Sequence, residues 1–204
     1  MIHYPNKKKP YVTQAMDTTN RGMDFERLID ESNTFYRLSE RAVIHKKPTP
    51  VQIVQVDYPK RQLAKIVEAY YKVPSTTDYN GIYRGLYLDF DVKESHSATS
   101  FPLKNVHAHQ VEHLAAIHRH GGIAFILIHF KSHGTIHLVP YPLLAQFVTR
   151  AEKGGRKSIT YAELLNQAYS VKIGYRPSID YLEAVDSWLM SEAHSTRTEL
   201  NTAE

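Results

Sequence analysis

The sequence predicts one α/β domain built around a fully buried strand, and three stretches carry that prediction. Ile123 to Phe130 is an almost unbroken apolar run, the mark of a central strand covered on both faces. Leu88, Phe90 and Val92 alternate with Tyr87, Asp89, Asp91 and Lys93, a two-residue period that puts one apolar face inward and a charged row opposite. Phe25, Leu28, Ile29, Ser32, Phe35 and Tyr36 recur at three and four residues, which is the stripe of an amphipathic helix with Asn20 as its candidate cap. At 204 residues and 42% hydrophobic, the chain supplies one well-buried core and is short for two.

Composition narrows the chemistry. Twenty-five Lys and Arg against 21 Asp and Glu leave +4, a balance compatible with a nucleic-acid partner. With no cysteine, disulfides, thiolate metal sites and cysteine nucleophiles are excluded. Lys7, Lys8 and Lys9 precede no apolar stretch of signal-peptide character, and no run approaches a membrane span, so a cytoplasmic location is expected. Residues 1–19 read as a mobile basic arm, 20–190 as the single domain and 191–204 as a polar, frayed tail.

The elements follow in order. After the first helix, Ala42-Val43-Ile44 and Val51-Gln52-Ile53-Val54 read as short strands, separated by Lys46-Lys47-Pro48-Thr49-Pro50, whose prolines force an extended break with the lysines on an exposed turn. Residues 57–75 interleave Tyr58, Tyr70 and Tyr71 with Lys60, Arg61, Lys65 and Lys72, a pattern in which tyrosines can stack on bases while cations meet phosphates; a solvated surface excursion is the competing reading. Ser100 to Leu103 is extended. A helix is expected from Val106 to His120, stopping at Gly121-Gly122, with Gln110 on its inward row and therefore in need of a partner. Ile136 to Val139 reads as a strand, and Leu143 to Arg150, Tyr161 to Tyr169 and Ile179 to Leu189 as helices.

The stretch Thr76 to Lys93 holds the densest chemistry. A two-residue turn at Arg84-Gly85 would set Tyr83 against Leu86, Asp78 against Asp91 and Thr76 against Lys93, bringing four polar residues to one face; Asn80-Gly81 is the competing turn. Directly opposed Cβ atoms lie about 4.5–5.5 Å apart, and two carboxylates so placed repel unless a cation lies between them. Hard oxygen ligands select magnesium, or manganese, over zinc. Lys93 beside such an ion can hold the attacking water or offset charge on phosphoryl oxygens, and the Thr76 hydroxyl can orient the phosphate.

Four motifs together have a wider likeness. Asn20-Arg21-Gly22-Met23 leading to Phe25-Glu26, His45-Lys46-Lys47-Pro48-Thr49-Pro50-Val51-Gln52-Ile53-Val54, Ser75-Thr76-Thr77-Asp78-Tyr79-Asn80-Gly81 and Phe101-Pro102-Leu103-Lys104-Asn105 resemble the RecU family of Holliday junction resolvases, in order across roughly residues 20–185. The resemblance implies a restriction-endonuclease-like core, a central mixed β-sheet flanked by helices, with a protruding stalk at 57–75. It implies a homodimer that uses Mg2+, with Mn2+ as substitute, to make paired nicks in four-way DNA junctions during recombination and repair; a recombinase and branch-migration proteins are candidate further partners that the residues themselves do not single out. Carried over by position, Asp78, Asp91, Thr76 and Glu26 would hold the metal, and Lys93 and Gln110 would complete the catalytic set. Lys7, Lys8, Lys9, Arg21, Lys46, Lys47, Lys60, Arg61, Lys65, Tyr70, Tyr71 and Lys72 are the expected DNA contacts. Where many relatives carry glutamate, this chain has Asp91.

Three other readings compete. His107, His109, His113, His118 and His120 invite a zinc hydrolase, with His109 and His113 at i, i+4, but the glutamate between them is not where a metalloprotease motif needs it. These histidines are expected instead on a positively biased surface or capping the helix. A DNA-binding or recombinase-modulating module of the same fold is the second alternative, although the retained acids argue against it. The third is a nuclease of this fold with another DNA substrate.

Overall fold

A computed structural model describes residues 25–58, 60, 64–72 and 76–202, with side chains to residue 194. Its elements run α1 (Phe25–Leu38), β1 (Val43–Lys46), β2 (Val51–Asp57), β3 (Lys65–Tyr71), β4 (Tyr79–Tyr83), β5 (Leu86–Ser95), β6 (Ser100–Pro102), α2 (Ala108–Arg119), β7 (Ile123–Phe130), β8 (Thr135–Pro140), α3 (Tyr141–Glu152), β9 (Ser158–Thr160), α4 (Tyr161–Gln167), β10 (Tyr169–Ile173), β11 (Ile179–Asp180) and α5 (Tyr181–Thr202). Among the described residues, no helix is long and apolar enough to cross a membrane.

Seven strands form a mixed sheet in the order β1-β4-β5-β7-β8-β10-β11. β5 and β7 pair in parallel at its centre, and the other neighbours are antiparallel. A parallel pair needs a long crossover, which α2 supplies, and helices on both faces bury the strands completely. All eight residues of β7 are accordingly buried, as the apolar run predicts.

The period of two sorts β5 between two cores. Leu88, Phe90 and Val92 enter one core with Phe125, Leu127 and residues of α1 and α5; Phe90 stacks between Tyr79 and Phe125 at ring distances of 4.9 and 4.8 Å. The intervening positions pair with Ala124, Ile126 and Ile128, which join the opposite core beside Leu114, Leu144 and Leu164 of α2, α3 and α4. Asp89, Asp91 and Lys93 therefore point under α2. The expected charged row is not solvated, since both aspartates are fully buried.

Arg84 and Gly85 have φ of 51° and 78°, the doubly left-handed turn whose twist suits a tight hairpin, so β4 and β5 close there and Tyr83 opposes Leu86. The competing pair Asn80-Gly81 lies within β4. Gly81 is needed there for another reason: a Cβ would sit 2.1 Å from the Val43 carbonyl of the neighbouring strand β1.

Outside the sheet, β2 and β3 form a separate two-stranded ribbon with every residue exposed. The projecting element thus begins at Val51, earlier than the expected insertion at 57, and its second half is a strand. The tail expected to fray from 191 continues α5 to Thr202. Asn20 and the arm with Lys7, Lys8, Lys9 and Arg21 lie outside the described residues, as does Arg61.

Candidate active site

The ladder between β4 and β5 ends at Tyr79 opposite Phe90, so Asp78 lies one residue before its end on the β4 side and Asp91 one residue beyond it on β5. The main chain fixes Asp78 from the other side, because Lys47 N–H donates to its carbonyl at 2.7 Å and extends the β1–β4 pairing by one step. Thr76 lies beyond the paired segment, and its hydroxyl donates to Thr77 O at 3.3 Å rather than standing opposite Lys93 in a ladder. A cleft of about 310 Å³ opens here, lined by Glu26, Lys46, Lys47, Pro48, Thr49, Pro50, Thr76, Thr77 and Asp78.

Asp91, one residue past the end of that ladder on β5, is fully buried. Lys93 Nζ lies 2.9 Å from its Oδ1, two residues along the same strand face. Gln110 Nε2 donates to Oδ2, and Gln110 Oε1 in turn accepts from His107 N–H at 3.1 Å, so the first turn of α2 holds the glutamine amide in one orientation. This is the partner that an inward glutamine required. Burial pushes the Asp91 carboxyl up to about 6, with Asp78 adding to the rise while Lys93 and Gln110 oppose it. Asp78 is thus within electrostatic reach of Asp91.

The donor set fits a hard divalent cation. Asp91 Oδ1 is buried and, among the described residues, accepts no hydrogen bond beyond the ion pair with Lys93. An acid pushed up by burial and by a second acid is relieved by a cation between them. No group of three or more His, Asp or Glu side chains is brought together as a metal-binding set among the described residues, so further ligands would be neutral oxygens such as the Thr76 hydroxyl or water.

The remaining expected residues divide. Glu26, on the first turn of α1, reaches the cleft edge and pairs with Lys46 at 2.5 Å. Glu26, aided by Asp30 and Asp78, holds the Lys46 ammonium above the ordinary lysine range against the pull of desolvation. Lys46 is thus half-exposed and already engaged. Lys47 departs further from the exposed turn expected of it, since its ammonium turns inward to Asp89 Oδ2 at 2.8 Å. His113 is likewise not a surface histidine, with Nε2 3.1 Å from the same oxygen. His107 and His109 stack at 5.5 Å at the start of α2. Lys60, Lys65, Tyr70, Tyr71 and Lys72 are exposed on or beside the ribbon, as DNA contacts would need to be.

Asp89 is the residue that sequence reasoning passed over. Its place on the same strand face as Asp91 was visible, but nothing in the pattern says that Thr77, Lys47, Tyr87 and His113 converge on it.

The family model for RecU, recombination protein U, matches residues 20–187. This chain belongs to the RecU family. Proteins named Holliday junction resolvase RecU from Staphylococcus aureus (strain JH9) and Bacillus pumilus (strain SAFR-032) are 48% and 46% identical to it, each over 94% of this chain and 98% of the relative. Among solved structures, the Holliday junction resolvase Hjc of Archaeoglobus fulgidus superposes with a TM-score of 0.41 at 13% identity, over 69% of this chain and 92% of that one. Two of the RecU motifs fall on the elements just described: Thr76 to Gly81 runs into β4 beside the cleft, and Phe101 to Asn105 leads into α2 and Gln110. A mixed sheet flanked by helices is also the architecture the resemblance implied.

Proposed function

We propose that this RecU-family chain is a structure-specific endonuclease that resolves four-way DNA junctions by metal-dependent hydrolysis of phosphodiester bonds. The observation that carries this reading is the acid Asp91, raised by burial and further by Asp78, with the Lys93 ammonium 2.9 Å from its Oδ1. A carboxyl perturbed by burial with a named charge partner is the mark of a functional site, and relatives at 46–48% identity that carry the resolvase name support the choice of substrate.

The residues divide the work. A divalent ion, with Mg2+ the natural choice and Mn2+ a substitute, supplies positive charge to the phosphoryl oxygens and acidifies nearby water. Asp78 and Asp91 offer hard anionic oxygens from two adjacent strands. Gln110 keeps Asp91 turned toward Lys93. The Lys93 ammonium orients the attacking water and offsets the charge that grows on the phosphoryl oxygens. Thr76 presents a hydroxyl at the cleft wall, and Glu26 completes the outer edge with Lys46. The exposed β2–β3 ribbon with Tyr70, Tyr71, Lys65 and Lys72 serves as the stalk that enters the junction. A homodimer would provide two such centres for paired, symmetric nicks. An inactive DNA-binding module would have no use for a fully buried Asp91, whose desolvation costs stability even with Lys93 and Gln110 beside it.

The test incubates purified protein and Mg2+ with a synthetic four-way junction beside a matched linear duplex. Symmetric nicks in the junction alone are expected; equal cutting of both would assign another DNA substrate.

A further inference from the structure

The second acid of β5 is bound more heavily than the first. Asp89 is fully buried, yet both its oxygens are occupied: Oδ1 accepts from the Thr77 hydroxyl, and Oδ2 faces Lys47 Nζ at 2.8 Å, Tyr87 OH at 2.9 Å and His113 Nε2 at 3.1 Å. Lys47 Nζ also donates to Thr77 Oγ1 at 3.1 Å, closing a triangle of acid, ammonium and hydroxyl. Charge-assisted bonds in a dry interior are strong and leave little freedom to the groups they join.

What Asp89 ties together is more telling than how tightly it is tied. Thr77 is the residue immediately before Asp78. Lys47 is the residue whose main-chain N–H holds the Asp78 carbonyl at 2.7 Å. His113 lies one turn along α2 from Gln110, so the helix puts Gln110 on Asp91 and His113 on Asp89 as two successive rungs. Asp78 itself sits past the end of the β4–β5 ladder, so only the Lys47 N–H on the β1 side fixes its main chain, and nothing in the strand pairing fixes it toward β5. The segment that carries that bond must itself be held against β5 if two acids from different strands are to meet at one ion.

We propose that Asp89 is a positioning residue for the metal centre, anchoring Thr77, Lys47 and His113 so that Asp78 is held opposite Asp91. This rests on the metal-dependent reading above and adds to it the group that pre-organises the ligand pair. Lys47 then serves the site from behind and not as a phosphate contact. Ligand-orienting groups of this kind carry a recognisable cost when removed, typically about 10–100-fold in metal affinity.

The test measures Mn2+ binding to the full chain by titration calorimetry for wild type, Asp89→Asn, Lys47→Met and Thr77→Val, with thermal melting of each and junction cutting as a function of Mn2+. Each variant is expected to need about 10–100-fold more Mn2+ for half-saturation, and cutting should recover toward wild type at saturating metal. A merely structural role would lower the melting temperature and leave half-saturation in place. Thr77→Val removes only one hydroxyl and decides the matter if Asp89→Asn does not fold. Mn2+ affinity within twofold of wild type in the folded variants would overturn the proposal. A wild type that binds Mn2+ but spares four-way junctions would remove the resolvase reading and leave this one standing, whereas a wild type that binds no Mn2+ would overturn both.

Discussion

The centre of the sheet and the β2–β3 ribbon are opposites. On β5 and β7 the protein buries two carboxylates among aromatic and aliphatic side chains, while on the ribbon it exposes Val51, Ile53, Val54, Val56, Ile66, Val67, Tyr70 and Tyr71. Each arrangement is costly for folding alone, since buried charge must be compensated and exposed apolar surface gains nothing from collapse. On the proposed function, the contrast puts the chemistry on rigid, doubly covered strands and recognition on an element that contributes little to the core. Functional sites on rigid elements hold their geometry more tightly than sites on loops.

That contrast can be broken by mutation. The largest effect on stability is expected from Phe90→Ala, which empties the stack between Tyr79 and Phe125 and should cost about 3–5 kcal/mol by denaturant unfolding. Loss of under about 1 kcal/mol would mean that the sheet centre is looser than its burial indicates.

Next in size is a dependence on pH. Burial raises Asp91 from an ordinary carboxyl value to about 6 in the folded chain. The folded state therefore holds that proton while the unfolded state releases it, so this contribution to stability is full below pH about 4 and is lost as pH rises through about 6. The metal-free protein should lose about 3 kcal/mol across that window from this group. Urea unfolding of wild type and Asp91→Asn at both ends checks it, with the variant expected to show a flatter profile and added Mg2+ expected to restore the wild type at high pH.

On the ribbon the effects move from folding to binding. Tyr70→Ala and Tyr71→Ala should each weaken four-way junction binding by about 1–3 kcal/mol if a base stacks there, measured by fluorescence anisotropy, while leaving the melting temperature in place. Smallest of all, Ile66→Ala should change stability by less than about 0.5 kcal/mol, because its side chain is already in solvent. A larger loss would mean that the ribbon is covered in solution.

The same contrast explains what the sequence disclosed. Alternation at Leu88, Phe90 and Val92 and the Arg84-Gly85 turn made the observed register from Tyr79–Phe90 to Tyr83–Leu86 legible, because local periodicity and turn geometry are written in adjacent residues. Gln110 was legible as an inward polar group in search of a partner. Asp89, Lys47 and His113 were not, because their meeting depends on how a helix from a distant segment lies across the sheet. Periodicity names a face but not what covers it. Strand β3 escaped for the opposite reason: with both faces in solvent, Lys65 to Tyr71 has no buried side to impose a period of two. Strands β6, β9 and β11, of three, three and two residues, are too short to show a period at all.

The most direct test of the central claim compares Asp78→Asn and Asp91→Asn with wild type in two assays on one four-way junction, binding without metal and cutting with Mg2+. Both variants are expected to bind within a few-fold of wild type and to cut at least about 100-fold more slowly, since each removes a charge that stabilises the reacting phosphate and none that holds the DNA. Cutting that survives in either variant, or binding that falls in step with cutting in a folded protein, would contradict it.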